Sequence, residues 1–361
     1  MTAAFQTPGP RDSLTDVTGL LVGHHHDLDD DATMGSGSAT GCTVVRALGG
    51  ATAAVDVRGG GPGTRETDLL DPSHSVQHVN AILLTAGSAY GLAAADGVMR
   101  WLEEHGQGIP MGSPDHVVPI VPAAVIFDLP VGDWAARPTA EFGYLAAAAA
   151  ATEFETGSVG AGVGARAGVL KGGVGTASTV IEGGPADGVT VAALMVANPV
   201  GAVFDPRTGL LWGTGTLGPS AFGMRKPDVN QLWAALALEP KGTALNTTIG
   251  VVATDAALSS ASCKRIAVAG HDGLARAVRP AHSPLDGDTI FAVSTGTRPV
   301  GPESSVPAAF SVELPILAAV TEAAAIVVER AIVRALLDAS SVAGIPTYRQ
   351  IFTSAFGGSG V

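Results

Sequence analysis

An α/β layered domain is the fold class predicted for this chain, on three observations. Short apolar runs of strand length alternate with longer runs of helix length. No internal repeat and no linker divides the 361 residues, which therefore read as a single domain. Hydrophobic residues make up 46% and charged residues 15%, with a mean hydropathy of +0.34, too apolar for disorder and enough for a large core.

The elements follow in order. Residues 1–15 read as a flexible leader, and residues 17–22 as a first element. The run His24-His25-His26-Asp27 with Asp29-Asp30-Asp31 reads as a solvated loop, because consecutive side chains point in different directions and do not converge on a metal. Residues 43–46 and 51–57 look like two strands joined at a Gly49-Gly50 turn. They lead into the glycine-rich stretch from Asp56-Val57-Arg58-Gly59-Gly60 to Asp68, where Arg58, Arg65, Glu66 and Asp68 form either an ion-pair network or a pocket lining.

Residues 79–84 read as a buried strand, and Gly87-Ser88-Ala89-Tyr90-Gly91-Leu92 opens a helix reaching about residue 105. Residues 118–129 are a strand region broken by Pro119 and Pro122, and residues 140–154 a helix around Ala147–Ala151. After a second glycine-rich stretch at residues 157–175, strands are expected at 178–181 and 189–196. Gly213-Thr214-Gly215-Thr216-Leu217-Gly218 fits GxGxxG but lacks a following amphipathic helix, so it is not read as a dinucleotide site. A short helix near 231–238, a strand from Thr247, a helix at 256–271, a strand at 290–294 and a long apolar helix at about 315–342 complete the chain. So little of that last helix is polar that it must be buried, with a subunit interface as one way to bury it.

Composition narrows the function. A net charge of −13 argues against a nucleic-acid partner and against a polybasic membrane anchor. Cys42 and Cys263 have no metal-type or redox spacing and read as buried thiols. The first residues carry no basic start followed by an apolar run, and no segment is long and clean enough to span a bilayer, so a cytoplasmic location is the expectation. No metal and no cofactor is assigned.

The chemistry converges on residues 241–253. Asn246 is followed by Thr247 and Thr248 and then by a strand-like apolar run. No GxSxG or HExxH is present, and the remaining histidines form no recognisable pattern. An activated threonine is left. A threonine hydroxyl needs a base, and a free α-amine on the same residue serves, since its pKa is about 7.7–8.0. An internal threonine gains that amine when the preceding bond is cut, here by attack of the Thr247 hydroxyl on the Asn246 carbonyl and hydrolysis of the resulting ester.

From about Thr15 to Val342 the chain resembles the DmpA-like family of self-processing aminopeptidases, which includes nylon-oligomer hydrolases. The resemblance rests on Asp56-Val57-Arg58-Gly59-Gly60, on residues 59–72, on Gly87-Ser88-Ala89-Tyr90-Gly91-Leu92, on Asn198-Pro199-Val200-Gly201, on Asn246-Thr247-Thr248 and on Asp286-Gly287-Asp288-Thr289-Ile290-Phe291-Ala292-Val293. It implies a four-layer αββα sandwich and cleavage into residues 1–246 and 247–361. It implies Thr247 as nucleophile, Asn246 as the residue before the cut, Asn198 as an amide donor to the oxyanion, and Asp286 and Asp288 as the pair holding the nucleophile's amine and hydroxyl. Lys171 lies near a lysine of the nylon-oligomer branch, at a spacing that differs by two residues. Phe127 and Tyr90 are implied to line the substrate pocket.

Two positions depart from the family pattern. Phe127 stands where many members have a tyrosine hydroxyl, and Val125 where aminopeptidase members hold the substrate amine with a glutamate. The expected activity is an amide hydrolase releasing N-terminal residues from short peptides, amides or esters, working as an oligomer of αβ units. A nylon-oligomer-type hydrolase, an acetyltransferase of the ornithine type and an uncleaved ligand-binding protein stay open beside it.

Overall fold

The computed structural model describes residues 5–113, 116–240, 246–299, 306–307 and 309–357. Its strands, in chain order, are β1 (Phe5–Thr7), β2 (Leu20–Leu28), β3 (Ala39–Val57), β4 (Thr64–Arg65), β5 (His78–Thr85), β6 (Ile109–Pro110), β7 (Val117–Val118), β8 (Ala123–Val125), β9 (Arg166–Ala167), β10 (Leu170–Lys171), β11 (Gly173–Glu182), β12 (Thr190–Asn198), β13 (Thr247–Ala256) and β14 (Thr289–Arg298). The α-helices are α1 (Ala94–Glu104), α2 (Ala140–Ala148), α3 (Val229–Leu236), α4 (Ser260–Ala277), α5 (Leu314–Leu337) and α6 (Tyr348–Ile351).

Strand pairing runs β1-β11-β12-β13-β14-β3-β5-β8-β4, with β2 also on β3. The long β3 is the hinge of this path. Its first half pairs with β2 and β5, and its second half with β14. Between them Gly49 and Gly50 adopt φ of 78° and 83°, a left-handed backbone that favours glycine, and the register with β5 shifts. The predicted pair of strands is thus one bent strand.

Side-chain alternation turns that bend into layers. On β12, Ala193, Met195 and Ala197 pack with α4 and α5, whereas Ala192, Leu194 and Val196 point the other way. There they meet Val45, Ala53, Ile82 and Leu84 of the opposing half. On β3, Cys42 and Val44 face α1 and α2. The order of layers is therefore helix, sheet, sheet, helix, as the resemblance implied. All nine residues of β12 and all ten of β13 are buried, which is why both read as near-continuous apolar runs.

Several expectations are corrected. From residue 5 onward the leader is ordered, the earlier residues lying outside those described: Phe5–Thr7 pairs with β11, Ser13 and Asp16 form a capping box, and Leu14 is fully buried. His24, His25 and His26 lie on β2 rather than in a solvated loop, paired with Thr43, Cys42 and Gly41. His24 bonds Thr43 Oγ1 (2.9 Å) and the Glu155 carbonyl (3.1 Å), and burial pushes its pKa down to about 4. Helix α2 stops at Ala148, short of the predicted end, because Ala151 exchanges backbone hydrogen bonds with Val22 of β2. Helix α5, by contrast, is largely buried as expected, against its own chain: Arg330 donates to Asp12 and to the Ser178 carbonyl, and Glu329 accepts from Thr216. Among the described residues no helix is long and apolar enough to cross a membrane.

Candidate active site

The site grows from strand register. Antiparallel pairing of β12 with β13 sets Asn198 opposite Thr247. Parallel pairing of β13 with β14 extends one step further, so that Asn246 bridges Asp286. Three segments far apart in sequence therefore end at one point. Lys241 to Leu245, the start of the motif stretch, lie outside the described residues.

At that point Thr247 is 4% exposed and Asn246 1%. The Thr247 hydroxyl is hydrogen-bonded to the carbonyl oxygen of Asn246, the group it would have to attack. The same oxygen accepts the Gly287 N–H at 2.9 Å. Gly287 is required here: a Cβ would stand 2.7 Å from Thr247 Oγ1 and 3.0 Å from the Gly61 carbonyl.

The acidic pair sits in the loop entering β14, just ahead of the strand expected at residues 290–294. Asp288 Oδ1 accepts the Thr248 N–H (2.7 Å), and Oδ2 accepts both the backbone N–H (3.1 Å) and Nδ1 (2.8 Å) of His282. Asp286 is 1% exposed, and its Oδ2 accepts the Ser283 N–H (2.8 Å). Burial, with the neighbouring Asp288 charge, raises the Asp286 pKa above the usual carboxylate value, against the opposing pull of the Ser283 and Val200 backbone. The motif from Asp56 to Gly60 packs directly on this loop. Arg58 and Gly61 N–H groups donate to the Asp288 and Asp286 carbonyls, and a Cβ on Gly59 would collide with the Asp286 carbonyl.

On the other flank Asn198 is fully buried and tied at both ends of its amide. Oδ1 accepts the Arg166 N–H (2.9 Å) and Nδ2 donates to the Phe127 carbonyl (3.1 Å). Lys171, also fully buried, pairs with Arg166 across the β9–β10 ribbon, and its ammonium donates to the Gly162 (2.8 Å) and Gly172 (2.9 Å) carbonyls. It thus joins the site through the ribbon that carries Arg166. Phe127 is half-buried with its ring against Trp134. Val125 is buried against Gly63, whose carbonyl accepts its N–H (3.0 Å). Tyr90 is 56% exposed under the Arg137 guanidinium, on a turn fixed beside β8 by the Ser88 N–H to the Ile126 carbonyl. Its ring packs on that guanidinium. Sequence reasoning missed His282 and gave Gly287 no role; the only signal for either was its place before or within the Asp-Gly-Asp motif.

The likeness to known proteins is extensive. Residues 12–349 match Peptidase family S58. Proteins described as uncharacterized aminopeptidases of Mycobacterium tuberculosis and Mycobacterium leprae are 58% and 56% identical, over 96% of this chain and 99% and 96% of theirs. A 6-aminohexanoate-oligomer endohydrolase of Kocuria sp. is 33% identical over 78% of this chain and 74% of its own. Among solved structures, a Burkholderia sp. β-aminopeptidase superposes with a TM-score of 0.72 at 24% identity, over 97% of this chain and 95% of that one. The l-aminopeptidase d-ala-esterase/amidase of Ochrobactrum anthropi, described as a variant of the Ntn hydrolase fold, gives a TM-score of 0.69 at 23% identity, over 97% and 92%. The chain belongs to Peptidase family S58 and is a hydrolase of peptide or amide bonds.

Proposed function

We propose that the chain cuts itself between Asn246 and Thr247 and that the freed Thr247 is the nucleophile of an aminopeptidase. One observation carries this reading: the Thr247 hydroxyl and the Gly287 N–H meet at the Asn246 carbonyl oxygen. Nucleophile, target carbonyl and a donor for the developing oxyanion are assembled on one peptide bond. Thr247 Oγ1 bonds to the Asn246 carbonyl carbon, the C–N bond breaks, and the hydroxyl proton passes to the leaving nitrogen. Water then hydrolyses the ester, leaving an Asn246 carboxylate and a free Thr247 α-amine.

In turnover that amine takes the Thr247 hydroxyl proton as the hydroxyl attacks a substrate carbonyl. The acyl-enzyme forms, the leaving amine carries the proton away, and water releases the acyl group. Asp286, buried beside the Asn246 peptide and with a raised pKa, holds the new amine and its proton. Asp288 fixes the backbone next to the nucleophile. Asn198 supplies the oxyanion donor from a rigid mount, and Lys171 stiffens the ribbon behind it.

The likeness to aminopeptidases supports release of N-terminal residues from short peptides, amides or esters. A second reading, an amide hydrolase cutting within oligomers, is favoured by Val125. An apolar, buried side chain at that position provides no carboxylate for a substrate amine.

Intact-mass spectrometry of the denatured protein tests the core of the proposal. The 35.9 kDa chain should separate into pieces of roughly 24 and 11 kDa. Thr247→Ala should remain one chain and lose turnover on the order of 10⁶-fold, as removal of a nucleophile does. A Thr247→Ala protein that is still cut, or still active, defeats it.

A further inference from the structure

Behind the acidic pair stands a histidine that the chemistry above leaves unused. His282 addresses Asp288 Oδ2 twice, through its backbone N–H (3.1 Å) and through Nδ1 (2.8 Å). A carboxylate only accepts, so Nδ1 carries the proton. The other Asp288 oxygen receives the Thr248 N–H, directly after the nucleophile. Asp288 is 2% exposed, so the direction of its carboxylate is decided by these donors rather than by water.

His282 is itself held. Its backbone lies at φ +56°, and its ring meets the edge of His271 at 4.8 Å and 75°. His271 Nε2 donates to the Asp56 carbonyl (3.0 Å), and the Asp56 carboxylate accepts from Arg58 Nε and Lys264 Nζ, each at 2.6 Å. Burial pushes the His271 pKa down to about 4, so at neutral pH it is an uncharged wall for the second ring. Among the described residues, the charged groups facing His282 are Asp288 and Asp286 from its own loop and Asp56 from β3, the last neutralised by Lys264 and Arg58.

We propose that His282 is a positioning residue for the nucleophile. Its Nδ1–H locks Asp288 so that the carboxylate holds Thr248, and with it the Thr247 hydroxyl, against the reacting carbonyl. The arrangement also explains the Asp-Val-Arg-Gly-Gly motif, because Asp56 anchors the wall on which His282 leans. The inference rests on Thr247 as nucleophile.

Two substitutions separate the hydrogen bond from the backbone strain. Asparagine tolerates a left-handed backbone and puts an amide N–H close to the position of Nδ1; glycine tolerates the same backbone with no donor. His282→Asn should mature and turn over within about threefold of the wild type, whereas His282→Gly should slow both by about 10- to 100-fold through kcat, with KM little changed. If His282→Gly fails to fold, His282→Asp keeps the size and backbone tolerance of asparagine without the donor and should be at least as slow. A glycine variant as fast as the wild type, or an asparagine variant as slow as glycine, overturns the inference while leaving the nucleophile intact. A wild type that never cuts, or an active Thr247→Ala, defeats the nucleophile reading instead and the inference with it.

Discussion

Thr247 stands between two unlike flanks. On the β14 side are two carboxyl groups and a histidine, set in the loop just before the strand. On the β12 side is one neutral amide, mounted at the strand's last residue and bonded to main chain at both ends. The acidic flank contains a buried carboxyl group with a raised pKa; the amide flank presents the fixed dipole of Asn198, with the Lys171 ammonium tied to main-chain carbonyls behind it. The difference teaches a division of work. On the proposed reading, protons belong to the β14 side and charge stabilisation to the β12 side, with Thr247 as nucleophile on the strand between them.

Asp286→Asn is the strongest way to break this division. It keeps the size and removes the ionisable oxygen, so both self-cleavage kinetics and turnover should fall by about 10²–10⁴-fold, the range of a lost acid–base group. Time courses of chain cleavage by mass spectrometry, with peptide-amide turnover on whatever has matured, measure the two separately. Wild-type turnover in this variant would remove the proton role from the β14 flank.

Asn198→Ala comes next. Turnover should drop by about 10²-fold, the cost of one oxyanion donor. Maturation should be much less affected, because the oxyanion of the self-cleavage step falls on the Asn246 oxygen, where Gly287 donates. The variant also leaves the Arg166 N–H and the Phe127 carbonyl without their partner, so its melting temperature should be lower. Equal losses in maturation and turnover would mean that the two oxyanions share one donor, and the flanks would lose their distinction.

Which residues meet in this candidate site was largely legible in the sequence, for reasons that the flanks make plain. Asn246-Thr247-Thr248 and Asp286-Gly287-Asp288 are short and contiguous, and strand register alone brings them together. Asn198 is legible for the same reason, as the end of an apolar run that pairs with another. His282 was not, because a single histidine gains meaning only from the carboxylate six residues on and the ring it leans against, and loop geometry decides both. The bend of β3 escaped as well. A Gly-Gly pair marks equally a hairpin turn and a bulge, and only pairing with β5 on one half and β14 on the other tells them apart. The order of the leader is illegible because its anchoring contacts, such as the Leu14 N–H to Thr176 Oγ1 at 2.8 Å, reach far along the chain.

The smallest effect tests whether the flanks are equally rigid. Each is backed by a histidine whose pKa burial pushes down to about 4: His271, buried behind the acidic loop, and the half-buried His24, beside Gly160 of the glycine turn that leads to the Lys171 ribbon. In the unfolded chain a histidine titrates near 6.5. Between pH 6.5 and 4 the unfolded chain therefore binds protons that the native protein refuses, and stability falls as the pH drops through that window. Each histidine should remove roughly 2–3 kcal/mol by the bottom of it. Denaturant titrations at pH 7 and pH 4.5, on the wild type and on His271→Gln, read the contribution of one flank. Glutamine keeps a donor for the Asp56 carbonyl and cannot take up the proton, so part of the acid loss should disappear. An unchanged loss would mean that His271 is solvated in the native protein, and the wall behind His282 would then be softer than the amide mount of Asn198.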